Sequence, residues 1–166
     1  MVGTRLIVLL FLMLPLQSRA QTGFDRGRVE REVMSVLDSF LDAFNRQDAH
    51  AEERSYQFPH YRLANGLMSV WSAPGEEIEA WMNATYKTLH ESGWDHSSWT
   101  RRRIVHISDF KAHVDTEFTR YHKNGTVMAK VDSLYILTKE NGRWGIKMRS
   151  SFDTVIAAPG DKGNSR

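Results

Sequence analysis

A chain of 166 residues, 41% of them hydrophobic and none cysteine, is long enough for one packed domain and excludes both a disulfide scaffold and thiolate chemistry. The formal charge of +2 sits in the first 20 residues, where Arg5 and Arg19 stand without an acidic residue. The rest of the chain is formally neutral and offers no global field for nucleic acid.

The first 20 residues read as a secretory signal peptide. Arg5 supplies a basic start, and Leu6 to Leu16 is an apolar run of 11 residues, too short to span a bilayer as a helix. Ser18-Arg19-Ala20 puts small residues at the two positions a signal peptidase reads, so cleavage is expected after Ala20. The expected location is secreted or periplasmic, with no stable membrane insertion after cleavage. Residues 21–27 are polar and expected to be flexible. One domain is expected over 28–154, and a disordered tail over 155–166.

From Arg28 the pattern is helical. Val29, Val33, Val36, Leu37, Phe40, Leu41 and Phe44 recur at spacings of three and four, which predicts an amphipathic helix to about Gln47. The stretch Phe58 to Trp71 reads as a β-hairpin turned at Asn65-Gly66, because both residues tolerate positive φ. Pro74, Glu76, Glu77 and Glu79 mark the start of a second helix, striped by Ile78, Trp81, Met82, Thr85 and Leu89 and stopped at Gly93. Residues 94–98 read as a linker. Four strands follow, over about 99–108, 111–123, 126–139 and 143–153. Asn124-Gly125 and Asn141-Gly142 turn the last three.

Two-residue turns fix register, so facing residues can be counted. Across Asn141-Gly142, Leu137 faces Ile146, Tyr135 faces Met148 and Ser133 faces Ser150. Across Asn124-Gly125, Val114 faces Tyr135, Thr116 faces Ser133 and Phe118 faces Val131. If Asp109-Phe110 is also a two-residue turn, Arg103 faces Thr116 and Trp99 faces Arg120; a bulge in this strand would change its faces. One sheet face then carries a polar band of Arg103, Thr116, Ser133 and Ser150 between apolar rows. The other face carries Arg102, Asp115, Glu117, Asp132, Arg149 and Ser151, with Ile104, Tyr121, Met128, Leu134 and Ile136.

Helix, hairpin, helix and a long antiparallel sheet, with "FLDAFNRQD" in the first helix and a Gly-Arg-Trp-x-Ile strand, resemble the nuclear transport factor 2-like superfamily, and its SnoaL-like members most. The resemblance covers roughly residues 28–153. It implies an α+β fold in which a curved antiparallel sheet forms a cone covered by the N-terminal helices. It also implies a cavity inside the cone, and often a homodimer through the outer sheet face. The isomerases and cyclases of that superfamily use an interior Asp as general base. The counted register puts no carboxylate inside, so a base would have to come from Asp95, His60 or His96.

The expected ligand-binding residues are Arg103, Thr116, Ser133, Tyr135 and Ser150, with Arg120, Trp99 and Phe118 toward the open end. His60 of the first hairpin, and Trp81 and Tyr86 with Trp99 at the cavity mouth, are added as ligand contacts. An inward guanidinium needs an anion or several acceptors, so the ligand is expected to be anionic and partly apolar. No metal site and no cofactor are read. His106 and His113 pair across strands without further ligands at fixed spacing, and no Gly-rich phosphate loop or nucleophile motif occurs. Three classes of function stay open: a small-molecule-binding module, a cofactor-free lyase, cyclase or isomerase, and a dimerisation domain with a vestigial cavity. The signal peptide has a direct check. Intact mass of the exported protein should correspond to a chain beginning at Gln21, and a retained first segment would refute cleavage.

Overall fold

A computed structural model describes residues 23–152. The expected signal peptide and the expected tail lie outside the described residues. Helix α1 spans Arg26–Asn45, α2 Ala49–Glu53 and α3 Glu76–Glu91; the strands are β1 Tyr56–Ala64, β2 Leu67–Trp71, β3 Trp94–Ile107, β4 Lys111–His122, β5 Val127–Glu140 and β6 Arg143–Ser151. They form one curved, unclosed sheet in the order β2-β1-β6-β5-β4-β3. All neighbours are antiparallel except β1 and β6, which run parallel. The α+β expectation holds.

Asp25 caps α1 by accepting from the Arg28 N–H at 2.9 Å. The predicted stripe is the buried one: Val29, Val33, Leu37, Phe40, Leu41 and Phe44 face the sheet. Phe40 touches the rings of Tyr56, Trp99 and Tyr135, at centroid distances of 6.1, 6.4 and 5.8 Å. Glu32 pins the outer end of the helix, accepting from Lys139 Nζ at 2.9 Å, Trp144 Nε1 at 2.8 Å and Arg28 Nη1 at 2.9 Å. These donors, Lys139 first, lower its pKa to about 2.

Helix α2 is absent from the sequence reading. Gln47 takes a positive φ of 55°, and Asp48 then caps a new helix by accepting from the Ala51 N–H at 2.9 Å. This reversal turns Glu52 and Glu53 under the sheet and buries both. The segment 94–98, expected as a linker, is instead the beginning of β3. Ser97 is held there by Asn45, which donates to its carbonyl and accepts from its N–H, each at 2.9 Å.

The Asn65-Gly66, Asp109-Phe110 and Asn141-Gly142 turns close as predicted, and the β4–β5 register is the counted one from Ala112–Leu137 to Arg120–Ala129. Bulges change the rest. In β3, Asp95, Thr100 and Val105 are extra residues, so Ile104 pairs with Val114, Arg102 with Thr116, Arg103 with Asp115, and Trp99 with Phe118 rather than Arg120. In β6, Lys147 is extra: Ile146 still pairs with Leu137, but Met148 pairs with Ile136, Arg149 with Tyr135 and Ser151 with Ser133. Expected faces are therefore exchanged for Arg102 and Arg103, for Met148 and Arg149, and for Ser150 and Ser151. Ile104 and Met128, expected outside, pack against the core cluster. That leaves fewer apolar side chains to be covered on the outer face.

Gly145, the unspecified position of the Gly-Arg-Trp-x-Ile strand, sits where β6 meets β1. A Cβ there would stand 2.9 Å from Gln57 Cγ and 3.1 Å from the Tyr56 carbonyl carbon. Backbone cannot move aside as a side chain can. Gly145→Ala should therefore destabilise the fold by about 1–3 kcal/mol, as overpacking does. Urea unfolding measures it, and an unchanged midpoint would show that β1 relaxes freely.

Candidate functional site

The cavity lies between the inner sheet face and the helices. Its wall includes Glu52, Arg62, Trp81, Met82, Tyr86, Phe118, Arg120, Arg149 and Ser151. Its space, open solvent at the mouth included, is about 390 Å³, and only about 20 Å³ admits the centre of a water molecule. That smaller space holds about one water. The cavity is a slot, sized for a small head group unless its side chains shift.

The carboxyl of Glu52 is 1% exposed. Tyr56 donates its hydroxyl to Oε1 at 2.6 Å and Tyr86 donates to Oε2 at 2.5 Å. Burial pushes the Glu52 pKa up, against the Arg149 charge and the two phenols. Both phenols are pushed up as well, by burial and then by Glu52.

Opposite this acid stand buried guanidiniums. Arg62 and Arg149 are register partners on β1 and β6, and Arg120 enters from β4. Each lies over an aromatic ring: Arg62 5.2 Å from Trp81, Arg120 5.4 Å from Phe118 and Arg149 5.4 Å from Phe40. Among the described residues no carboxylate lies within salt-bridge distance of Arg120 or Arg149. Arg120 Nε and Nη1 and Arg149 Nε have no hydrogen-bond partner. Burial, then the Arg149 charge, lowers the Arg120 pKa to about 10. For Arg149, burial works against the charge, but Tyr56, Tyr135 and Glu52 outweigh it and leave the pKa raised.

Two neutral groups complete the interior. The Tyr135 hydroxyl is fully buried and has no hydrogen-bond partner among the described residues, although Arg149 is near enough to favour its phenolate; burial dominates and raises its pKa. His60 Nδ1 lies 3.0 Å from the Ile146 carbonyl, which can only accept, so Nδ1 carries the proton. Nε2 is then a buried acceptor without a donor among the described residues. Burial, then Arg149, lowers the His60 pKa to about 3.

The expected residues divide accordingly. Thr116, Ser133, Tyr135, Phe118, Trp99 and Arg120 face inward, and His60 and Tyr86 are buried there too. Thr116 donates to the Ser133 carbonyl at 3.0 Å, and Ser133 to Ser151 Oγ at 2.9 Å, so the polar band exists with Ser151 in it. Arg103 does not belong to it: its side chain is 68% exposed and pairs with Asp115 at 3.2 Å. Ser150 also faces out. Arg102 takes the inner position and pairs with Asp38 of α1 at 2.5 Å. Trp81 is half-buried at the mouth, against Trp71 at 4.9 Å. Asp132 stays outside, paired with Arg101. Asp95 and His96, considered as bases, are exposed partners of each other at 2.8 Å. Sequence reasoning missed Glu52, Arg62 and Arg149. For Glu52 a signal existed: Asp48 is a capping residue, and Glu52 and Tyr56 follow it at successive spacings of four.

Comparison with known proteins places the chain in a family. Residues 31–151 match the family described as NTF2-like protein (DUF6841), and the chain belongs to it. Among solved structures it is similar to an NTF2-like protein of unknown function from Shewanella oneidensis, at 18% identity and a TM-score of 0.60, covering 75% of this chain and 99% of that one. It is similar to an NTF2-like protein with a cystatin-like fold from Novosphingobium aromaticivorans, at 14% identity and 0.63, covering 81% and 90%. A ketosteroid isomerase-like protein from Erwinia carotovora atroseptica aligns at 21% identity and 0.53, covering 73% and 92%. These likenesses are of fold. No curated protein matches the chain.

His60 and Glu52 should act on stability in opposite directions. The His60 pKa falls from 6.5 to about 3 on folding, so its stabilising contribution is full above pH 6.5 and is lost as pH falls toward 3. The Glu52 pKa rises from 4.5 on folding, so its contribution is full below pH 4.5 and is lost as pH rises through the folded value. His60→Phe should flatten the acid limb of the stability–pH curve, and Glu52→Gln the decline above pH 4.5. Urea unfolding of the three proteins at several pH values reads the slopes. Slopes parallel to wild type would refute the neutral buried imidazole or the buried acid.

Proposed function

We propose that the cavity binds a small organic anion, with a carboxylate or similar head seated on Arg120 and Arg149 and an apolar body toward Trp81, Met82 and Phe118. The carrying observation is the pair of buried guanidiniums with unused N–H groups and, among the described residues, no carboxylate within salt-bridge distance. A buried charge of this kind is costly without a partner, and a bidentate anion supplies charge and acceptors together. The neighbouring Tyr135 hydroxyl offers a further donor. His60, held neutral, adds no competing charge.

A second reading is favoured by Glu52. A carboxyl with a raised pKa, touched by two phenols, is suited to carry a proton to or from a bound molecule. On that reading the protein is a SnoaL-like lyase, cyclase or isomerase, with Glu52 replacing the interior aspartate. It predicts deuterium exchange into an acidic C–H of a bound acid, abolished in Glu52→Gln while binding persists.

The binding reading is tested by thermal shift with a panel of small carboxylates and their neutral amides. Benzoate, phenylacetate and hexanoate are suitable acids. The acids should stabilise wild type and the amides should not. Arg149→Met and Arg120→Met keep bulk and remove charge; each should weaken the acids by about 2–5 kcal/mol, as loss of a desolvated charge pair does. Arg103→Met, on the outer face, should bind like wild type. Failure of every acid, or equal binding by all four proteins, would overturn the proposal.

A further inference from the structure

Away from the cavity, α2 and α3 bring three ligating side chains to one point. His50 and Glu53 stand three residues apart on α2, and Glu79 lies in the first turn of α3. His50 Nδ1 is 3.0 Å from Glu79 Oε1 and 3.7 Å from Glu53 Oε2. One ligand atom from each residue lies within 4.8 Å of the others. A zinc ion bonds imidazole nitrogen and carboxylate oxygen at about 2.0–2.2 Å, so its ligand atoms stand roughly 3.3–3.6 Å apart. The observed spacings need only small side-chain movements to meet that geometry.

Proximity alone would leave an ordinary surface cluster; Glu53 makes the difference. Its side chain is 6% exposed, and no lysine or arginine pairs with it among the described residues. Oε1 accepts from the Gly75 N–H, and Oε2 has no hydrogen bond and faces His50. Buried carboxylates are ordinarily paired with a cation or bound to a metal. The Gly75 contact also holds the carboxylate in one orientation, as outer partners of metal ligands do. His50 is 69% exposed, which gives an ion a route in from solvent and leaves a position for water.

We propose that His50, Glu53 and Glu79 form a binding site for one divalent transition cation of the zinc type, tying α2 to α3 with water completing the coordination. The sequence reading finds no metal site because Glu79 is distant in sequence and joins the pair only through the packing of α3 on α2. The competing account is that a protonated His50 bridges the two carboxylates without a metal.

The test uses the chelator-treated full chain and zinc chloride alone, titrated calorimetrically against a competing chelator. One zinc per chain should bind. Glu79→Gln, at a part-exposed position, and His50→Gln should each weaken it at least tenfold, while His106→Gln, in the other histidine pair, should not. Circular dichroism verifies folding. Should a variant unfold, the wild type still decides: zinc should shift the His50 ring resonances in the NMR spectrum and leave those of His106 and His113. The proposal is overturned by absence of saturable binding, by undiminished binding in folded Glu79→Gln and His50→Gln, or by resonance shifts confined to the other pair.

Discussion

The parity of β6 decides what the cavity contains. Up to Ile146 the strand sends even-numbered side chains inward, and Lys147 is then an unpaired extra residue. It is anchored rather than loose: its ammonium reaches the Phe58 carbonyl at 3.0 Å and Glu140 at 3.1 Å. Beyond it Arg149 and Ser151 face inward while Met148 faces out. Without the bulge, Met148 would stand beside Tyr135 and the interior would lose the Arg149 guanidinium. With it, a guanidinium is buried against the Phe40 ring and surrounded by Tyr56, Tyr135 and Glu52. Bulges bend and re-aim strands in this way without breaking the sheet. In β3 the extra residue Val105 does the opposite service, sending Arg101 and Arg103 to the outer face, where Asp115 pairs with both, and Thr100 then returns Trp99 to the inner face.

Helix α2 supplies the acid opposite the cavity guanidiniums. Five residues long, it would not persist alone. Its cap on Asp48 and its packing under the sheet hold it in place. Glu52 and Glu53 are consecutive, so they point in different directions, and the two meet different partners. Glu52 meets phenols inside the cavity, and Glu53 meets a backbone N–H and His50 outside it. A charged carboxylate accepts well from two phenols, while burial favours the acid form. The raised pKa of Glu52 is the net of these opposing effects.

Much of this architecture is legible in the sequence, and the losses have specific causes. The Asn65-Gly66 and Asn141-Gly142 turns announce themselves because few residues tolerate positive φ, whereas Asn124-Gly125 lies in a three-residue turn, and the counted β4–β5 register is restored only by the extra residue Met128. The stripe of α1 is legible because its period is strict. A bulge has no such signature. Lys147 and Val105 are ordinary strand residues, and a parity count continues through them and places Arg103 inside and Arg149 outside. Alternation itself misleads here. Trp144, Ile146 and Met148 form a clean apolar series, yet the third faces away from the core. Glu52 is hidden differently, in a short acidic stretch that composition alone assigns to solvent.

The interior breaks local rules repeatedly and in one place. Guanidiniums, a neutral histidine, a carboxyl with raised pKa and an unbonded phenol are gathered where aliphatic side chains would pack with less penalty. Elsewhere the same chain follows the rules closely. Arg102 is paired with Asp38, Arg101 with Asp132, and the α1 stripe is uniformly apolar. Sequences that specify one fold tend to be consistent across levels, with departures concentrated at functional or strained positions. The departure here has a uniform character: apart from Glu52 and His60, its unused groups are donors. An interior that offers N–H and O–H groups in excess of acceptors is complementary to a molecule that brings acceptors and negative charge. The sheet supplies the donors through β6 and β4, α2 supplies the single acid, and α3 with Trp81 and Met82 forms the apolar side of the opening.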